Sequence, residues 1–132
     1  MFLTALALHA AVAQQRCRTL DTALPATLRG WKISGRGLDT GHAVKLDAGR
    51  DNALSTRVTI RRAGTYGIAL DQAGWIDVSP ARGKPLESVA HGHGPECSTI
   101  RKIVRYKLRP GTYRVELTRL KAARARLMLV RY

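Results

Sequence analysis

The chain has 132 residues, a length that suits one domain and excludes two domains of ordinary size. Lysine and arginine outnumber aspartate and glutamate by 23 to 9, and the formal net charge is +14. Such a charge repels cations and attracts polyanions over about one Debye length. The candidate partners are therefore nucleic acid, an anionic cell-envelope polymer, an anionic glycan and an acidic protein. The alternative is a solvated basic surface with no dedicated partner.

Residues 1–13 have the pattern of a secretory signal peptide. They are apolar except for Thr4 and His9, and they end in the small-residue run 11-AVA-13. We expect cleavage before Gln14 and a single domain over residues 14–132 that is periplasmic or secreted. No positive charge precedes the apolar run, so an N-terminal core helix is the alternative. The run is too short to span a bilayer, and we expect no membrane span after its removal.

Short alternating runs, separated by glycine, proline, aspartate and asparagine, predict strands along the rest of the chain. In 57-RVTIR-61, for example, Val58 and Ile60 share one face. The other predicted strands are 65-TYGIAL-70, 75-WIDVS-79, 85-PLESVA-90, 103-IVRYKL-108, 112-TYRVEL-117 and 126-RLMLVR-131, with weaker candidates at 30-GWKIS-34 and 43-AVKLD-47. Seven to nine short strands without a helical stretch of useful length predict an all-β fold, an antiparallel β-sandwich or jelly roll.

An internal repeat relates 63-AGTYGIAL-70 to 110-PGTYRVEL-117. We interpret the two copies as equivalent hairpins, in which a glycine supplies a backbone with positive φ between antiparallel strands. A tyrosine then begins each returning strand with its ring in the core and its hydroxyl near the sheet margin, within reach of a backbone group. The glycine and tyrosine of each copy are Gly64 with Tyr66 and Gly111 with Tyr113.

This repeated pattern resembles the bacterial pre-peptidase C-terminal domains and related jelly-roll modules, over roughly residues 55–132. The resemblance implies a β-sandwich accessory module rather than a catalytic domain. The longer runs 64-GTYGIALDQAGWIDV-78 and 91-HGHGPECSTIRKIV-104 resemble small exported proteins of alphaproteobacteria that carry the label homogentisate 1,2-dioxygenase. Such ring-cleaving enzymes resemble much larger cupin proteins, with an iron held by histidines and a glutamate inside a barrel. The present chain is too short for that architecture, and its histidines do not follow the cupin pattern.

The run 91-HGHGPEC-97 concentrates residues that bind metals or shape turns. In one interpretation His91 and His93 bind a divalent transition metal, since an i,i+2 pair on an extended segment points to one side. Glu96 is the nearest third ligand, and His42 and Asp77 are alternatives.

In a second interpretation the run is structural. The glycines and proline shape a turn, and Cys97 pairs with Cys17, as an even cysteine count in an exported chain favours.

A third interpretation makes this loop part of a ligand site at one end of the sandwich. Trp75 would stack on a sugar ring, and Asp77 and His91 would bond its hydroxyls. His93 belongs to the same ligand loop. The alternative for Trp75 is a core position, because tryptophan rings are mostly buried. Because residues 75 and 76 face opposite sides of a strand, only one of them can point into the core.

Six basic side chains are predicted to point away from the apolar face or to lie at a turn: Arg57, Arg61, Arg105, Lys107, Arg114 and, at the turn, Arg109. They form one cationic patch if the two repeats share a sheet and two patches if they do not. Contact with a polyanion would weaken with added salt. Nucleic acid is disfavoured as the partner, because the outward positions lack interleaved aromatic side chains and the chain is expected to be exported.

The sequence as a whole favours a binding or accessory module over an enzyme. Its serines lie outside any nucleophile-elbow pattern, and it has no glycine-rich phosphate loop. Cys97 beside His91 or His93 would be a thiol nucleophile only if it were unpaired, which the second cysteine argues against. The alternative is a metal-binding protein or metalloenzyme that uses the His91/His93 loop.

Overall fold

The computed structural model describes residues 17–132, so the predicted signal peptide lies outside the described residues. The described chain forms a short 3₁₀ helix, Ala26–Lys32, followed by eight strands. The strands are β1 Val44–Asp47, β2 Leu54–Ile60, β3 Gly64–Leu70, β4 Trp75–Pro80, β5 Ala90–Gly92, β6 Lys102–Leu108, β7 Gly111–Thr118 and β8 Arg124–Arg131.

The strands form two antiparallel sheets. The first has five strands in the order β1-β8-β3-β6-β5, and the second has three in the order β2-β7-β4. Apolar side chains from both sheets, among them Ile68, Val78, Val115 and Leu127, are fully buried in one core. This arrangement confirms the predicted all-β antiparallel sandwich.

The repeat does not form hairpins, and that part of the interpretation was wrong. Strand β2 pairs with β7, and β3 pairs with β6, so each copy of the repeat crosses from one sheet to the other. The tyrosines hold these crossovers, because each hydroxyl donates to the carbonyl four residues upstream. Tyr66 bonds Arg62 at 2.7 Å, and Tyr113 bonds Arg109 at 2.8 Å. The same type of tyrosine corner marks sheet-to-sheet turns in other sandwiches.

The two turn glycines differ in conformation. Gly111 has φ 152°, which side chains rarely adopt, whereas Gly64 has no positive φ. The predicted need for glycine therefore holds at the second crossover only.

A second cluster of buried side chains covers the outer face of the five-stranded sheet. The 3₁₀ helix places Leu28 and Trp31 on that face, against Met128 and Val130. Trp31 is fully buried, and its indole N–H donates to Thr99 Oγ1 at 2.8 Å. The predicted strand at 30–34 was therefore wrong, since Leu28 and Trp31 reach the same sheet face through a helical i,i+3 spacing.

The predicted strand at 85–90 is mostly an exposed loop. The Leu86 N–H donates to the Val78 carbonyl, and the Val89 N–H donates to the Arg105 carbonyl, both at 2.8 Å. Regular strand pairing begins only at β5. This loop therefore runs along the edge of the sandwich, between β4 of one sheet and β6 of the other. No helix within residues 17–132 is both long enough and apolar enough to cross a bilayer.

Candidate functional site: a cleft at the sandwich edge

The C-terminal half of the run 91–97 is a structural staple. Cys17 and Cys97 form a disulfide with Cα atoms 5.1 Å apart, as the sequence predicted. The Asp21 N–H donates to the Cys97 carbonyl at 2.9 Å. The Asp21 carboxylate accepts the Thr99 N–H at 2.7 Å and the Thr99 hydroxyl at 2.6 Å. Together these contacts hold the N-terminal segment against the loop.

Gly94 lets the chain pass close to itself in this loop. A Cβ atom at Gly94 would collide with the Ile100 carbonyl oxygen, so no other residue fits without a shift of the backbone. The Ser98 hydroxyl donates to the Pro95 carbonyl at 2.7 Å and closes the turn. The turn and the disulfide therefore account for Gly94, Pro95 and Cys97, but they do not account for His91 and His93.

His91 and His93 line one shallow cleft of about 430 Å³, and both are exposed. Both side chains lie on the same side of the chain, as expected for residues i and i+2 of an extended segment. However, no group of three His, Cys, Asp or Glu side chains within residues 17–132 is arranged to hold a metal ion. His42, one of the proposed third ligands, lies close to the carbonyls of Arg36 and Gly37, 2.9 and 3.0 Å from its Nε2. The metal site with His91, His93 and Glu96 stays a prediction.

A larger cleft, of about 570 Å³, opens between β4 of the three-stranded sheet and β5–β6 of the five-stranded sheet. It brings together Trp75, Asp77 and His91, three of the four residues predicted for a ligand site. His93 lies outside its lining but in the adjoining shallow cleft, which shares His91 and Lys102 with it. We call the two clefts together the edge groove.

Trp75 is 58% exposed at this groove and is not a core residue. On β4 it is Ile76 and Val78 that point into the core, so Trp75 and Asp77 share the outward side. The indole Nε1 donates to Asp77 Oδ1 at 3.2 Å, which fixes the ring relative to the carboxylate. An exposed indole held by a carboxylate offers an apolar surface and a hydrogen-bond acceptor side by side.

The groove also contains residues that the sequence reasoning missed. Lys102 donates from its ammonium group to the Gly74 carbonyl at 2.7 Å and lines both clefts. Glu87 and Leu86 line the larger cleft from the edge loop. A signal for Lys102 was present: it occupies the same face of β6 as Val104 and Tyr106, an inward position where a charge is unusual.

Tyr106 forms part of the inner wall of the cleft. Its hydroxyl donates to the Ile76 carbonyl at 3.1 Å and is buried. Burial raises the pKa of the Tyr106 hydroxyl from 10.0 to about 12, and the negative charge of Asp77 adds to the rise. Tyr106 is therefore neutral at physiological pH and is a structural member of the wall.

The six predicted basic positions do not form one surface. Arg57 and Arg114 lie directly opposite each other on the three-stranded sheet. Arg105 and Lys107 lie on the outer face of the five-stranded sheet, where the Arg105 guanidinium stands 3.7 Å from the centre of the Tyr132 ring. The other two, Arg61 and Arg109, follow β2 and β6 at the two crossovers.

In comparisons with known proteins, no family model matches the chain, and no curated protein is significantly similar to it.

Proposed function

We propose that the protein is an exported, non-catalytic binding module that holds an anionic glycan in the edge groove. The observation that carries the proposal is Trp75, which is 58% exposed at the mouth of a cleft of about 570 Å³ and tied to Asp77 through its indole N–H. A cleft of this volume falls within the range of small-molecule sites in proteins.

The groove offers the chemistry that a sugar acid needs. The indole of Trp75 supplies an apolar surface for the C–H face of a pyranose ring, and Asp77 and His91 bond hydroxyl groups. The Lys102 ammonium has three donor hydrogens, and the Gly74 carbonyl accepts one of them. The remaining donors are free to bond a carboxylate of the ligand. The adjoining cleft extends the groove past His93 and gives room for a second sugar unit.

The disulfide and the charge support the cellular setting of the proposal. A disulfide between Cys17 and Cys97 is typical of the periplasm or the exterior of the cell. The formal net charge of +14 would concentrate an anionic envelope polymer near the protein. The resemblance of the repeat to jelly-roll accessory modules supports a role in binding rather than catalysis.

Titration with uronic-acid oligosaccharides tests this proposal. Trp75→Ala should lower the affinity by at least roughly tenfold, because truncation of a central aromatic contact removes much of the binding energy. Ile33→Ala is the matched control, because Ile33 is also 58% exposed and lines none of the clefts described. Equal affinities of the wild-type protein and Trp75→Ala would contradict the proposal.

The alternative function, a metal-binding protein or metalloenzyme, rests on the shared cleft of His91 and His93. Elemental analysis of untagged protein tests it directly. One bound transition metal per chain that is lost in His91→Ala would favour the alternative over glycan binding.

A further inference from the structure

We propose a second binding site, specific for a phosphate group, on the opposite edge of the sandwich from the groove. A cleft of about 500 Å³ is formed there by residues 37–40, the end of β2 with the crossover that follows it, and the end of β8. Four arginines line it: Arg57, Arg61, Arg62 and Arg131. We call it the arginine cleft.

The arginine cleft and the edge groove lie on different sides of the molecule. Strands β2 and β4 are the two outer strands of the three-stranded sheet, and the arginine cleft is built on β2 while the edge groove is built on β4. In the five-stranded sheet the arginine cleft uses β8 and the groove uses β5 and β6. The inference therefore does not depend on the proposed glycan site.

The positive charge of the arginine cleft is not neutralised by the residues that line it. Asp39 is the single carboxylate in the lining, and its Oδ1 accepts the backbone N–H of Thr40 at 2.7 Å. Both ion pairs found within residues 17–132 use other arginines, Arg114 with Glu116 and Arg124 with Asp47.

Arg57 has a further electrostatic cost. It lies directly opposite Arg114 across β2 and β7, and like charges in that position destabilise a sheet. Arg114 is compensated by Glu116 at 3.1 Å, but Arg57 has no acidic partner among the described residues. An anion bound in the arginine cleft would supply the missing negative charge.

The backbone that carries these arginines is held in place. The Arg62 carbonyl accepts the Tyr66 hydroxyl at 2.7 Å, which fixes the crossover after β2. Arg131 is the register partner of Tyr66 on β8. It continues the inward-facing row of Leu127 and Leu129 to the mouth of the sandwich. The guanidinium groups therefore start from fixed Cα positions, which limits the entropy lost when they close on a ligand.

Phosphate is the ligand group that this lining fits best. A guanidinium presents parallel N–H donors that match two oxygens of one phosphate, and several guanidinium groups together neutralise its double charge. Buried Leu38, Ile60 and Leu129 close the bottom of the cleft, and this apolar backing strengthens charge–charge attraction at the site. We infer that the cleft binds a phosphate or diphosphate group, whether free, on a sugar or on a lipid headgroup.

Calorimetric titration with inorganic pyrophosphate, at about 0.15 M ionic strength, tests the inference. The wild-type protein should bind one pyrophosphate per chain. Arg61→Gln/Arg131→Gln should lower the affinity at least roughly tenfold, because two charge-assisted contacts are lost. The matched control is Arg82→Gln/Lys84→Gln, which removes the same charge from an exposed loop outside the edge groove and the arginine cleft. It should change the affinity by less than about twofold.

A second variant separates a phosphate site from diffuse attraction. Arg61→Lys/Arg131→Lys keeps the charge but loses the paired donors, and its affinity should fall between those of the wild-type protein and the glutamine variant. The inference is overturned if the wild-type protein shows no saturable binding, or if the control loses as much affinity as the glutamine variant. Vesicles with and without phosphatidic acid, and glucose 1-phosphate, identify the source. Binding of the wild-type protein to the vesicles or to glucose 1-phosphate that is lost in Arg61→Gln/Arg131→Gln supports the site. Binding of that variant with the affinity of the wild-type protein counts against it.

Discussion

Removal of the disulfide is the sharpest test of the role assigned to the loop 91–97. In Cys17→Ser/Cys97→Ser the unfolded chain regains the freedom of a loop that spans 80 residues. The loop-closure relation puts the entropy of such a loop at about 15 cal/mol/K, which is about 4.5 kcal/mol at room temperature.

Urea denaturation followed by circular dichroism measures the loss. With an m-value of about 1.5 kcal/mol/M, a loss of 4.5 kcal/mol lowers the unfolding midpoint by roughly 3 M. The oxidised wild-type protein is the reference, and the wild-type protein in reductant should unfold together with the double variant. A midpoint shift below about 0.5 M would refute the argument. It would mean that Trp31 and the Asp21–Thr99 contacts alone hold the N-terminal segment in place.

Three further outcomes follow from the core and the turns. The raised pKa of Tyr106 makes its neutral form a source of stability below pH 10 that is lost as the pH rises towards about 12. Urea midpoints of the wild-type protein should therefore fall more steeply over that range than those of Tyr106→Phe. In thermal unfolding, Tyr113→Phe should lower the free energy of unfolding more than Tyr66→Phe does. The Tyr113 hydroxyl donates to a carbonyl and also accepts an N–H, whereas the Tyr66 hydroxyl only donates. One hydrogen bond typically contributes about 1 kcal/mol. Equal costs would contradict this reading. Gly94→Ala should destabilise by roughly 1–3 kcal/mol in urea denaturation, because its Cβ would collide with the Ile100 carbonyl, and an unchanged midpoint would exclude that clash.

Alternation within single strands was enough to predict the sandwich, but it does not say which strands pair. The runs around Tyr66 and Tyr113 look the same whether the chain turns back in one sheet or crosses to the other. In the folded protein they cross, and their register partners come from distant parts of the chain. Pairing depends on the three-dimensional packing of whole faces, which a local pattern does not contain. The helical turn at Trp31 was missed for a related reason, since seven residues are too few to establish a period.

The candidate site was predicted in part. The sequence left Trp75 either in the core or in the ligand site, and the general tendency of tryptophan to be buried favoured the core. The structure exposes it, in line with a pattern that could have decided the question, since Asp77 alternates with the apolar Ile76 and Val78. The alternation of β6 marked Lys102 as an unusual inward charge, but its place in the groove, like that of Leu86 and Glu87, depends on β4 lying near β6, which no sequence spacing reveals. The disulfide was predicted because only two cysteines were available.

The most direct test of glycan binding uses the two tryptophan indole N–H signals in a ¹⁵N-correlated NMR spectrum. Trp75 is exposed and bonded to Asp77, whereas Trp31 is fully buried and bonded to Thr99. On titration with a uronic-acid oligosaccharide, the Trp75 signal should shift in a saturable way while the Trp31 signal stays in place. Binding that leaves the Trp75 signal unmoved would contradict the proposed function.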